Sequence, residues 1–225
     1  MTQHSLRPTA AVRTALLLTR SLVAGITLCL AAVLAAAEPV APPEHGEIVD
    51  GHYHFAEIGW SMPLPRHWEM LPQATSKRAQ DAGNKAIEGA LGQAVDTSGL
   101  RHLLALTRDR GHVFQSSIET VSADFAAQWP AGAEFVRAVM LQTYGSKGIK
   151  VEATPLRNEE IGGVTFSVFD LTIFKPDGSP MLYQRMYGTL FGEQDFGIAL
   201  TYQNPAFRDE MLAAIRASTF QRPGR

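Results

Sequence analysis

The spacing of apolar positions changes period several times along the chain. At 52–56 it alternates. Tyr53 and Phe55 point to one side and His52, His54 and Ala56 to the other, which predicts a strand. Gly59 permits a turn, and 60–62 reads as a second short strand closed by Pro63 and Pro65, with Trp68 packing back over the corner. Over 75–93 the period lengthens. Ala79, Ala86, Ile87 and Leu91 fall near helical spacing, and Ser76 is placed as the cap. Gly83 and Gly89 each weaken that helix by roughly 1 kcal/mol relative to alanine. Strands follow at 102–107 and 113–121, joined by the turn "RDRG". A break is expected at Pro130. Beyond it a helix buries Phe135, Val139, Met140 and Tyr144, and it ends at Gly145 with Lys147 at its negative pole.

The last third carries strands at 149–154, 164–175, 181–191 and 196–203, separated by "NEEIGG", "PDGS" and "GEQD" as turns. In the last of these strands Phe196, Ile198, Leu200 and Tyr202 share a face. A final helix is punctuated by Asn204 at its cap and Pro205 in its first turn, with Phe207, Met211, Leu212 and Ile215 as its buried stripe. The order is β-β-α-β-β-α-β-β-β-β-α. Strands joined by short turns pair antiparallel, so the pattern predicts an α+β fold, a twisted antiparallel sheet flanked by helices.

The stretch "GWSMPLPRHW" resembles the opening of PsbP-like (Mog/PsbP fold) domains: an aromatic-serine strand at Trp60-Ser61, then Pro65 three residues before Trp68. "EEIGGVTFSVFDLTI" is similar to the glycine-led central strand of that family. "YQRMYGTLFGEQDFGIALTY", followed by a helix and "STF", is similar to its closing hairpin and last helix. The resemblance spans 49–221 and implies a PsbP-like sandwich. It also implies a protein that binds another macromolecule and catalyses nothing, since the family holds photosystem accessory subunits, a nuclear transport factor, exported bacterial proteins and secretion chaperones. It supplies no catalytic residues, and fold alone does not fix a partner.

Charge and composition add a compartment. Residues 1–37 carry Arg7, Arg13 and Arg20, no acid, and an apolar run that ends in small residues; Ala35 and Ala37 sit where a signal peptidase would read them. The expectation is a signal peptide at 1–37, cleaved after Ala37, and a periplasmic or secreted protein. If uncleaved, that segment would be the only membrane contact. Residues 38–48, with three prolines, read as a tether, 49–221 as a single domain and 222–225 as a flexible tail. Beyond residue 37, 17 basic residues face 22 acidic ones, a net of −5, so no basic field points to nucleic acid. Cys29, in the leader, is the single cysteine, so the mature part has no disulfide, thiol nucleophile or thiolate metal site. At 45% hydrophobic residues the chain is long enough to bury a full core without such staples.

Three sets of residues bear on function. His52 and His54, two apart on a strand, with Asp50 in step, would offer part of a zinc or copper site to a periplasmic metal-binding protein, against the plainer reading of an exposed strand face. A hydrolase with dispersed residues would draw on Ser116, His112 and Asp109, but the turn motif G-x-S-x-G is absent. For a binding protein the residues to watch are Trp129, a partly exposed anchor, and Asp170 with Arg185, which face each other on adjacent strands as an ion pair. The leading expectation is an exported, non-catalytic accessory domain, without a cofactor, contacting a protein partner or a hydrophobic ligand in the bacterial envelope.

Overall fold

A two-residue turn opens the fold. Asp50 and Gly51, at φ 48° and 72°, join β1 (Glu47–Val49) to β2 (His52–Phe55), with Val49 opposite His52. In this computed structural model, which describes residues 42–109 and 111–221, β3 (Trp60–Pro63) pairs with β2 and β12 (Thr219–Phe220) pairs with β3. These four strands make a small antiparallel sheet.

The larger sheet has eight strands. From one edge it runs through β4 (Glu69–Met70), β5 (Arg101–Thr107), β6 (Val113–Thr120), β11 (Gln194–Tyr202), β10 (Pro180–Phe191), β9 (Val164–Phe174) and β7 (Val151–Ala153); β8 (Arg157–Ile161) also pairs with β9. Every pairing is antiparallel. The helices are α1 (Gln73–Leu91), α2 (Ala123–Ala127), α3 (Trp129–Ser146) and α4 (Pro205–Arg216).

Each face of the large sheet has its own core. On one face the small sheet and α4 bring Tyr53, Trp60, Met62, Met211 and Ile215 against Phe166, Phe196, Ile198 and Leu200. On the other, α1 and α3 bring Ile87, Val139, Met140 and Tyr144 against Phe169, Leu171, Ile173 and Ala199. The alternation read in β11 is the division between these two cores, with Ala199 between neighbours that face the other way. A buried relay ties α3 to the sheet: the Tyr144 hydroxyl donates to Gln184 Oε1 at 2.8 Å, and Gln184 Nε2 donates to Thr201 Oγ1 at 3.1 Å. Asn204 caps α4, its Oδ1 accepting from the Ala206 amide at 2.9 Å. Among the described residues no helix is long and apolar enough to cross a membrane.

Several expectations shift. Ser76 does not cap α1, which begins earlier behind Pro72; the serine is buried within the helix and accepts from Gln80 Nε2. The break before α3 falls at Gln128, because Pro130 sits in the first turn of α3, where its missing N–H has no helical partner to lose. "NEEIGG" is not a turn throughout. Residues up to Ile161 pair with β9 as β8, whose charged side chains suit the uncovered sheet edge, and only Gly162 and Gly163 turn the chain. The folded part starts at Glu47 rather than Val49, and the segment before it lies against the domain: Tyr53 Oη donates to the His45 carbonyl at 2.7 Å and Gln73 Nε2 to Glu44 Oε2 at 3.2 Å. The expected signal peptide, the first residues of the tether and the tail at 222–225 lie outside the described residues.

Candidate functional site: the outer face of the small sheet and the acid pair beneath the helices

His52 and His54 occupy the outer face of the small sheet, opposite the buried Tyr53 and Phe55, with ring centroids 6.1 Å apart. Asp50 does not continue their row. It sits at a left-handed position in the turn, and its carbonyl oxygen lies 3.1 Å from His52 Nδ1. Asp50 and Gly51 make the tight connection that β1 and β2 need, which takes Asp50 out of strand phase. Among the described residues no group of three or more His, Cys, Asp or Glu side chains is placed to hold a metal ion.

Strand register sets a polar row across this face: Glu47 stands opposite His54, His54 opposite Ser61, and Ser61 opposite Thr219. Cross-strand partners point to the same side of a sheet, so the four side chains form one line over its whole width. They line an open depression of about 770 Å³, with Glu57 on its rim. Glu57 is held there by a two-pronged bond from Arg101, at 2.6 and 2.7 Å, which lowers the pKa of its carboxyl. Glu47, His54 and Ser61 stand in acid–imidazole–hydroxyl order, but no hydrogen bond joins them, so the hydroxyl lacks the base contact that activates a nucleophile.

The dispersed hydrolase set is taken apart. Ser116 is buried and spends its hydroxyl on Leu104, accepting from the amide at 3.1 Å and donating to the carbonyl at 3.3 Å. His112 Nε2 instead accepts from the Asn204 amide at 3.0 Å, and Asp109 occupies a left-handed turn position. Asp170 and Arg185 meet as their strands require. They are direct cross-strand partners, and Arg185 donates to the two carboxylate oxygens at 2.6 and 3.2 Å. Arg157 adds a second cation at 2.9 Å.

No family model matches the chain, and no curated protein matches it by sequence. A solution structure of cyanobacterial PsbP (CyanoP) from Synechocystis sp. PCC 6803 aligns with it at TM-score 0.51, covering 84% of this chain and 99% of that one at 9% sequence identity. The fold is PsbP-like.

Within this PsbP-like fold Trp129 is a half-buried packing residue at the start of α3. Its ring lies over Gly188 of β10 and edge-on to Phe125 at 5.9 Å. Beside it a narrow space of about 30 Å³ runs to Ser167 and Asp195. Asp195 is directly opposite Glu119 across β11 and β6, and both carboxyls are about 95% buried on the helix-covered face. Burial pushes the pKa of Asp195 well above the ordinary carboxylate range, with Glu119 adding to it. Burial, and then Asp96, raises that of Glu119 to about 7. Glu119 Oε2 and the hydroxyl of Ser117, two residues before it, have no hydrogen-bond partner.

Sequence reading missed this pair. Gln115, Ser117 and Glu119 are in phase along β6 and look like the wet face of a strand, while Asp195 belongs to what reads as the turn "GEQD". The one available signal was the helical stretch at 123–146, whose packing face had to lie on some side of the sheet.

Proposed function

We propose that the protein is an exported, non-catalytic binding domain of the cell envelope, and that its partner is another protein, met on the outer face of the small sheet. The observation that carries this reading is the row Glu47–His54–Ser61–Thr219 across an open depression with a second acid, Glu57, at its rim. That face is broad and polar, and with Glu57 already paired to Arg101 its acid open to a partner is Glu47, which suits a protein surface that presents a basic side chain there. A hydrophobic ligand is less well served. The narrow space beside Trp129, about 30 Å³, and the cleft between α1, β5 and Pro42–Pro43, about 220 Å³, both fall below the roughly 300–1,000 Å³ that small-molecule sites occupy. The residues considered for catalysis are engaged with the backbone instead, Ser116 with Leu104 and His112 with Asn204. The basic, acid-free leader with its alanine-rich end supports the envelope as the compartment.

The test is site-specific photo-crosslinking in the native envelope, with the crosslinker at Ser61 and, as control, at exposed Lys85 on α1. One discrete protein adduct from Ser61, absent from Lys85 and lost on Glu47→Lys, is the expected result. Identical patterns from the two positions, or no adduct from Ser61, would sink the reading.

A further inference from the structure

We propose that the partner met on the outer face of the small sheet adds an extended segment to the free edge of β1, antiparallel to it, with apolar residues opposite Val49 and Ile48 and a basic residue opposite Glu47. This rests on the reading of that face as a protein-binding surface and states how the partner is held. β1 is the end strand of the small sheet, and its three residues are all exposed. The two-residue turn at Asp50 and Gly51 decides which of its backbone groups are spent. Val49 and His52 close the hairpin as a hydrogen-bonded pair, and the next such pair is Glu47 with His54. Ile48, between them, faces Tyr53 in a non-bonded pair, so its N–H and C=O point away from β2 to the open edge. Among the described residues no turn, loop or cap backbone bond reaches them.

Other sheet edges carry devices against such pairing, and β1 does not. β4 and β12 are two residues long. β8 lines its edge with Arg157, Glu159 and Glu160, and β7 exposes Glu152 beside Lys150. β1 has no lysine, proline or bulge. Instead Ile48 and Val49, 40% and 45% exposed, are the large hydrophobic side chains left in solvent among the described residues. Unpaired backbone beside uncovered apolar side chains is a template for another strand.

Side-chain alternation sets what the added segment must carry. Glu47 and Val49 point to the outer face with His52 and His54, while Ile48 points with Tyr53 to the side of the core. In an antiparallel segment the residue before the one opposite Ile48 faces Val49, and the residue after it faces Glu47. Covering Val49 and Ile48 calls for apolar side chains at the first two positions. Glu47 calls for lysine or arginine at the third. Among the described residues no lysine or arginine pairs with it, and it lines the depression where Arg101 already holds Glu57. The required order is apolar, apolar, basic, and the basic side chain extends the polar row Glu47–His54 by one strand. A second copy offers the wrong residue, because β1 set against β1 puts Val49 opposite Glu47.

NMR titration of the nitrogen-15-labelled protein with short capped peptides tests this. The probe carries valine, valine and lysine in that order between threonines. It should move the Ile48 amide proton downfield, as a new hydrogen bond does, and slow its exchange. Replacing the lysine with glutamate should weaken binding about fivefold. Methylating the backbone nitrogen of the second valine, set opposite Ile48, should abolish binding, while methylating that of the lysine, which faces away, should not. No shift at Ile48 with millimolar peptide, or equal binding of the lysine and glutamate peptides, overturns the proposal. In the envelope, the Ser61 adduct should be lost in Ile48→Pro, which removes an outward N–H at an edge position where proline leaves the hairpin intact, and kept in Ile48→Val. An adduct that survives Ile48→Pro overturns strand addition and leaves the reading of the face standing, whereas a wild type with no Ser61 adduct takes both down. A concentration-dependent dimer, seen by sedimentation and lost in Ile48→Pro, would give the edge to a second copy and equally overturn the proposal.

Discussion

Gly188 and Trp129 fit so closely that a Cβ added to Gly188 would lie 3.0 Å from Trp129 Cζ2 and 3.3 Å from Cη2. The absence of a side chain at one strand position is what lets the benzo edge of the indole close on the sheet, and the indole belongs to the first turn of α3. Gly188→Ala should cost about 1 kcal/mol of stability and Gly188→Val about 2–3 kcal/mol, as the ring is pushed toward solvent. Urea unfolding gives the loss, and a red-shifted native emission spectrum locates it. Unchanged emission in the valine variant would show that the ring does not depend on this glycine.

Asp170 accepts from two arginines of unequal burial. Arg185 has 14% of its side chain exposed and Arg157 has 40%. Asp170→Ala leaves the mostly buried Arg185 without its main counterion and should cost about 2 kcal/mol, whereas Arg157→Ala should cost about 0.5 kcal/mol, in the range of exposed ion pairs. A double-mutant cycle read by urea unfolding should give the larger coupling to the 170–185 pair. Equal couplings would mean that burial does not set the strength of either contact.

Much of this architecture was legible because long elements repeat their pattern. β11 alternates over nine residues, α4 carries a cap and a proline at its start, and Asp170 and Arg185 sit at positions that a hairpin brings together. β1, β4 and β12 have two or three residues each, too few for a period to show, and they exist because neighbouring strands offer them partners. β8 was hidden by its charges, which mimic a turn but suit an edge. The polar row on the small sheet and the Glu119–Asp195 pair both depend on register between strands far apart in sequence, which no local pattern encodes.

Opposing titrations should shape stability against pH. Glu119 has a raised pKa in the folded state, about 7, so the folded protein binds its proton more firmly than the unfolded chain does. Its contribution is fully present below the ordinary glutamate value and is lost as pH rises toward 7; Asp195 shifts in the same direction. His102, lowered to about 4, acts the other way: its contribution is present above 6.5 and is lost as pH falls toward 4. Between about pH 4.5 and 6.5 His102 and Glu119 offset each other, and toward pH 7 only the acids titrate. Melting temperatures should therefore be higher at pH 6 than at pH 8. Glu119→Gln should reduce that difference, and His102→Gln should leave it in place while removing part of the loss below pH 5. A melting temperature that rises from pH 6 to pH 8 would contradict the burial argument for both acids.

The start of α4 supplies a different pH response, because one of its bonds needs a neutral imidazole. His112 Nε2 accepts from the Asn204 amide at 3.0 Å while the ring packs edge-on to Phe207, 4.7 Å between centroids. Asn204 in turn caps the helix through its side chain. Burial lowers the His112 pKa, so the folded state favours the neutral ring, and the stability this gives is lost as pH falls below the ordinary histidine value of 6.5. Protonation converts the acceptor nitrogen into a donor facing a donor, which frees the residue that positions the cap. Asn204→Ala should cost about 1 kcal/mol at any pH, since it removes only the side-chain cap. His112→Phe should destabilise at pH 7 and lessen the acid-side loss. Hydrogen exchange of the Ala206 amide, which loses its acceptor in Asn204→Ala, should speed up in the wild type as pH falls from 7 to 5, once the intrinsic pH dependence of exchange is removed. Protection that stays constant over that range would show that His112 does not govern the helix start.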